Sequence, residues 1–145
     1  MKFQSTKVIE LGSCCFRQPE AKSHCHYLHG YNLTAKFWFQ AKTLNETNWV
    51  VDFGGLKEIK NILRNTFDHK TVVGKKEPRM NVFKLMEEEE LIDLVVLDRV
   101  GAEYFAMYCM DQMNEWLEKQ KFSNNPRCIK VEVYEHSRNS AIISQ

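Results

Sequence analysis

Three histidines and a cysteine crowd into Ser23-His24-Cys25-His26-Tyr27-Leu28-His29-Gly30-Tyr31. Neutral imidazole is the commonest protein ligand of transition metals and thiolate the softest, so His24, Cys25, His26 and His29 carry the chemistry of a zinc site. Their spacing is irregular, and no second Cys-x-x-Cys or His-x-x-x-His module stands elsewhere to complete a structural centre. The same segment admits another chemistry. A thiolate is the reactive form of cysteine, so Cys25 among these imidazoles is also a candidate nucleophile or base. Asp68-His69 supplies the adjacent acid and imidazole of a relay in which a carboxylate orients a general base. On a strand the two side chains would point to opposite faces; in a loop they can touch. Glu135 ends the row Ile129, Val131, Val133, so strand parity puts a carboxylate on an apolar face. There it must find donors or stay protonated, unless it lies in water just past the strand end.

The elements that hold these groups follow from periodicity. Thr6 to Leu11 alternate loosely, and Leu33, Ala35, Phe37, Phe39 and Ala41 alternate strictly with polar neighbours, which predicts a long hairpin around a polar loop from Arg17 to Gly30. After Trp49-Val50-Val51, Asp52 is placed to cap a helix whose apolar positions Phe53, Leu56, Ile59, Leu63 and Phe67 recur at helical steps. The polar stretch from Gly74 to Glu90 ends in Glu87-Glu88-Glu89-Glu90, a solvated helix end or loop. Leu91 to Leu97 reads as a short buried strand. Ala102, Phe105, Ala106, Cys109, Met113, Trp116 and Leu117 form a helical stripe in which Cys109 and the methionines are core rather than ligands. The loop Ser123 to Pro126 closes it, and a last strand runs through Ile129, Val131 and Val133. The order strand-strand-helix-strand-helix-strand predicts an α+β domain spanning residues 1–145, with a sheet covered by helices on one face.

Composition limits the classes of function. The chain has 145 residues, 43% hydrophobic and 27% charged, the balance of a folded globular domain. Its net charge of +1 gives no global field toward nucleic acid or an anionic membrane. No apolar run approaches the roughly 20 residues a membrane-spanning helix needs. Five cysteines, an odd number, behind a start that has no leader-like apolar run, lead to an expectation of a reduced, cytoplasmic protein.

Four ordered segments carry a resemblance. Cys25-His26-Tyr27-Leu28-His29-Gly30-Tyr31-Asn32, Trp49-Val50-Val51-Asp52-Phe53-Gly54-Gly55-Leu56-Lys57, Phe67-Asp68-His69-Lys70 and Val133-Tyr134-Glu135 follow one another across most of the chain. Together they resemble the 6-pyruvoyltetrahydropterin synthase and 6-carboxytetrahydropterin synthase family. The resemblance implies a tunnelling fold: a four-stranded antiparallel sheet with two main helices on one face, assembled through closed barrels into a homohexamer with active sites between subunits. It implies a lyase that takes 7,8-dihydroneopterin triphosphate in a pterin or deazapurine (queuosine) pathway, loses triphosphate and uses Zn2+ to polarise side-chain oxygens. Cys25 then matches the proton-moving cysteine, Asp68 and His69 complete its relay, and Glu135 anchors the pterin N–H groups, with Glu103 also on the substrate. His29 matches the first of two zinc histidines in the second strand.

Departures from the family pattern fall on the metal. The second zinc histidine is replaced by Tyr31, and the first-strand histidine falls near Leu11-Gly12-Ser13-Cys14-Cys15-Phe16, where there is none. In one register Cys15 takes its place and gives a ligand set of His29, Cys15 and Tyr31; in the other Phe16 does, and binds nothing. His24 or His26 are further substitutes from the loop. Val100-Gly101-Ala102-Glu103 keeps the acid of the family's second helix start but loses its threonine hydroxyl. Arg17, Lys22 and Lys70 are candidate cations for a triphosphate, or ordinary surface charges. Two rivals stand beside the lyase: a metal-free enzyme on the same scaffold doing proton transfer or aldol cleavage on a pterin, and a non-catalytic pterin-binding protein that retains Glu135.

Overall fold

The computed structural model describes residues 1–145. The predicted hairpin is its spine: β1 (Phe3–Phe16) and β2 (His29–Ala41) run antiparallel from the Phe3–Ala41 pair to the Phe16–His29 pair. β2 then pairs with β5 (Arg127–His136), and β5 with β6 (Asn139–Ser144), both antiparallel. On the other flank β1 pairs in parallel with β3 (Lys70–Gly74), which pairs in parallel with β4 (Leu94–Leu97). The sheet is thus six-stranded and mixed, in the order β4-β3-β1-β2-β5-β6, rather than four-stranded and antiparallel as the resemblance implied. The two unexpected strands are short. Thr71-Val72-Val73 and Ile142-Ile143 are the β-branched runs that betray them. β3 and β4 are parallel because a helical crossover returns the chain to the same end of the sheet. β4 begins at Leu94 rather than Leu91, and it is a partly exposed edge rather than a buried strand.

There are three helices, not two. α1 (Lys57–Phe67) buries Ile59, Leu63 and Phe67, and α3 (Ala102–Gln120) buries the predicted stripe, Cys109 and Met113 included. Asp52 does cap, but it caps a 3-10 turn, Phe53–Leu56, by accepting from the Gly54 N–H at 2.9 Å; α1 follows directly. The unpredicted α2 (Met80–Glu88) is the crossover between β3 and β4, and the four glutamates at its end are all exposed. α1 packs on β1 and β3, while α3 covers β5, β6 and part of β2. Between sheet and helices, Phe105 meets Phe16 and Phe67 edge-on at centroid distances of 5.1 and 5.2 Å. No helix is long and apolar enough to cross a membrane.

The last long strand departs from simple parity. The pairing of β2 with β5 shifts between Trp38 and Phe39, so Ile129 bulges out of register, and Cys128 joins Val131 and Val133 on the buried face in its place. Asn114 of α3 accepts from Cys128 N–H at 2.8 Å and donates to Cys128 C=O at 2.9 Å, satisfying both backbone groups beside the bulge. All four atoms are buried. Asn114→Ala leaves two of them unpaired, and denaturant unfolding should show a loss of about 2–4 kcal/mol at unchanged m-value.

Candidate functional site

A second bulge positions everything else. In β1 the pairing slips between Glu10 and Gly12, and the buried side switches from Ile9 and Leu11 before it to Cys14 and Phe16 after it. Gly12 has φ +106°, and a Cβ there would lie 2.1 Å from Asp68 Oδ1, so only glycine fits. The Asp68 carboxylate fills that space as a clasp. Its Oδ1 accepts from Ser13 N–H at 3.0 Å and contacts His69 Nδ1 at 3.0 Å, and its Oδ2 accepts from Arg64 at 2.9 Å. Arg64 also donates to the Glu10 carbonyl at 3.0 Å, and His69 N–H to the Ser13 carbonyl at 2.6 Å. His69 sits at φ +59°, a turn conformation, which resolves the earlier alternative: Asp68 and His69 touch. Desolvation alone would raise the Asp68 pKa, but Ser13, His69 and Arg64 outweigh it and hold the carboxyl below its ordinary range.

Beyond the bulge, pairing sets which residues share a face. Phe16 pairs with His29 and Cys14 with Tyr31, so these four share the helix-covered face, whereas Cys15 pairs with Gly30 and Thr71 on the other. The rings of Phe16, His29 and Tyr31 form one cluster, at centroid distances of 5.0 Å for Phe16–His29, 6.0 Å for Phe16–Tyr31 and 5.3 Å for His29–Tyr31. His29 Nδ1 is held by the Tyr27 carbonyl at 2.8 Å. Glu135 reaches this cluster because the pairing of β5 with β6 slips between Tyr134 and His136, leaving it unpaired and half-buried at a third bulge. Burial first, then the charges of Glu135 and Cys25 and a hydrogen bond to Glu135, push the Tyr31 phenol above its ordinary pKa. Tyr31 and the bulged end of β5 thus meet, the Tyr31 ring lying 6.1 Å from that of His136 next to Glu135, with Cys25 near enough for its charge to act on the same phenol.

The loop bearing Cys25 is anchored at its base. Cys25 lies in the 3-10 turn His24–His26 that Ser23 caps, and its carbonyl accepts from Gln18 N–H at 3.0 Å. Arg17 donates to the His26 carbonyl at 2.7 Å and to Glu77, almost fully buried, at 2.5 Å. Arg17 is thereby committed to structure and Lys70 to an ion pair with Asp93; of the three candidate triphosphate cations only Lys22 stands free in solvent. The Arg17–Glu77 anchor escaped the sequence reading because 60 residues separate its partners. Glu103 is exposed in the first turn of α3, and its Oε2 and Gln18 Nε2 both lie within 4 Å of the place a Gly101 Cβ would take. His69 does not meet Cys25 within the chain. Its ring is 84% exposed and lines, with Cys15, Lys70, Thr71 and Asp93, an open pocket of about 550 Å³ beside β3.

The expected zinc ligands do not gather. Cys15 points away from His29 and Tyr31, on the face it shares with its strand partner Thr71, because the bulge reverses the parity that would have brought it round. The β1 residue that faces His29 is Phe16, wholly buried and without a donor atom. His26 is turned back onto the Ser23 carbonyl at 2.6 Å, and His24 is exposed. No three His, Cys, Asp or Glu side chains anywhere in the chain are grouped to hold a metal ion. The signal that would have exposed this is Gly12 itself, since a glycine inside a strand marks a bulge.

Comparison with known proteins finds relatives of this fold. A profile of the 6-pyruvoyl tetrahydropterin synthase family matches residues 8–145. An uncharacterized protein from Wolinella succinogenes superposes with a TM-score of 0.86 at 15% identity, over 100% of this chain and 99% of that one. 6-Pyruvoyltetrahydropterin synthase from Plasmodium vivax gives 0.68 at 15% identity, over 99% and 98% of the two chains. The Caenorhabditis elegans synthase gives 0.63 at 16%, over 100% and 95%. These likenesses establish the fold. No curated protein matches the sequence.

Two outcomes test the clasp. Gly12→Ala must displace the Asp68 carboxylate and hold alanine at positive φ, so it should destabilise by about 2–4 kcal/mol in urea unfolding. For Asp68→Asn, the stability gap to the parent should be full above the ordinary carboxyl pKa of 3.8 and close as pH falls through the lowered folded value, because a depressed pKa stabilises only the ionised side. A gap that widened toward acid would reverse the assignment.

Proposed function

The chain belongs to the 6-pyruvoyl tetrahydropterin synthase family, and from that premise we propose that it is a pterin-processing lyase acting on 7,8-dihydroneopterin triphosphate with loss of triphosphate. The observation that carries this reading is Glu135, released from the ladder by a bulge beside the Tyr31 ring at the end of the helix-covered face, with the Cys25 turn nearby. Glu135 accepts the amino and ring N–H groups of the pterin, a two-point contact suited to a carboxylate freed from strand pairing by a bulge. Cys25, on the anchored loop, takes the proton from a side-chain carbon; the electrons of that bond expel triphosphate, which leaves with its bridging oxygen. Asp68 holds His69 by Nδ1, which turns the other ring nitrogen outward as a proton carrier.

Within one chain that imidazole lies on a different surface from Cys25, so the relay is completed between subunits of a homohexamer: His69 of one chain serves Cys25 of another. The exposed His69 ring supports this, as does a second sheet face bearing Val8 and Ile142 in the open. A second reading, metal-free proton transfer or aldol cleavage on a related pterin, gains support from Phe16 standing where a metal ligand was expected.

Mass-spectrometric analysis of products from 7,8-dihydroneopterin triphosphate, with and without zinc, tests the reaction. A 6-pyruvoyl or 6-carboxy tetrahydropterin supports the first reading and a different pterin product the second; unchanged substrate sinks the first, and the same analysis with other dihydropterins then decides the second. Cys25→Ala should lower kcat by about a hundredfold to ten-thousandfold, and Glu135→Gln should weaken pterin binding about 10- to 100-fold. Mixing Cys25→Ala chains with His69→Ala chains should restore turnover if the relay crosses subunits. Mixtures as inactive as either parent would refute that assembly.

A further inference from the structure

Zinc needs three protein donors within about 2.0–2.3 Å of one point, on one face and around space the ion can enter. On the helix-covered face of β1 and β2 positions 14, 16, 29 and 31 lie around such a point, as the pairing of Cys14 with Tyr31 and of Phe16 with His29 shows, but the Cys14 thiol is buried in the core at 1% exposure and directed at the Cys15 carbonyl. Position 29 offers one imidazole, already steered by the Tyr27 carbonyl. Position 16 offers a phenyl ring at 0% exposure, wedged between the His29 ring and Phe105 at 5.0 and 5.1 Å. Position 31 offers a phenol whose ring stands edge-on to His29 and faces Glu135. The thiol that was the natural substitute, Cys15, is carried to the opposite face by the bulge at Gly12.

We propose that this protein holds no zinc centre, and that a packed aromatic cluster of Phe16, His29 and Tyr31 occupies the place where three metal ligands would have to converge. Phe16 contributes apolar packing and Tyr31 a hydroxyl beside Glu135. The surface the site offers a ligand's side chain is therefore a neutral hydrogen-bonding ring edge rather than a Lewis acid. The proposal concerns metal content, so it stands independently of the substrate proposed above: metal-free protein without turnover would refute that substrate and leave this cluster intact.

The test uses the full chain purified from zinc-supplemented culture. Elemental analysis should find far less than one zinc per chain, added cobalt(II) should give no tetrahedral absorption bands, and excess zinc should leave the melting temperature unchanged. One zinc per chain, or an upward melting shift with zinc, overturns the proposal. The double variant Phe16→His/Tyr31→His rebuilds three imidazoles on the shared face and should gain one zinc per chain with a cobalt spectrum to match. If it folds and binds none, Phe16 does not occupy the ligand's place and the proposal fails. If it does not fold, the metal content and melting shift of the parent chain decide alone.

Discussion

The absence of a side chain at Gly12 is the constraint on which the site depends. Its positive φ and the Asp68 carboxylate pressed against its Cα together hold a bulge in the longest strand of the sheet. A bulge adds one residue to one strand, and because side chains alternate with period two, every later residue of that strand changes face. Leu11 and Phe16 can therefore both be buried although one is odd and the other even in number, and Cys14 and Cys15 exchange roles. The carboxylate that fixes the bulge also fixes His69, so one group ties strand geometry to the orientation of a candidate proton carrier.

Bulges serve the other strands in the same way. At Ile129 the slip returns Cys128 to the core, with Asn114 satisfying the buried amide and carbonyl that the slip leaves without ladder partners. At Glu135 the slip releases a carboxylate from the ladder at the place where β2 presents Tyr31. Sheet edges and bulges are where proteins re-aim side chains, and this chain uses them at both ends of one face. The loop between β1 and β2 needs another device, since a polar segment of this length has no ladder to hold it. Arg17 supplies it by bridging the His26 carbonyl to the buried Glu77, a long-range pair that sets the base of the Cys25 turn.

Membership in the pterin synthase family fixes the scaffold, while sequence identities of 15–16% leave the site to be argued from its own residues. Cys25, Asp68, His69 and Glu135 are held in defined geometry, whereas beside His29 the same face carries the rings of Phe16 and Tyr31. These groups can be kept while neighbouring positions change, because they stand on separate segments: the anchored loop of Cys25, the turn of Asp68 and His69, and the β5 bulge at Glu135. The six-stranded sheet follows similar logic: the parallel pair β3 and β4 grows onto β1 through the α2 crossover without disturbing the β1–β2 spine.

The sequence alone determined the hairpin, the two long helices, the core stripe of α3 and the identity of the reactive groups, because local periodicity and residue chemistry encode these directly. Strict alternation from Leu33 to Ala41 and helical spacing from Leu56 to Phe67 need no distant partner to be read. It missed β3 and β6, whose five and six residues are too short to carry a period. It also misjudged β4, since an edge strand and a central one share a composition. Only the tertiary structure decided which face Cys15 occupies, that Phe16 confronts His29, that Arg17 serves Glu77 rather than a substrate, and that Glu135 leaves its ladder. Each of these depends on a register slip or on a contact between residues far apart in the chain. A one-residue slip inverts a strand's faces with no change of composition, so the order of residue types by itself does not record it.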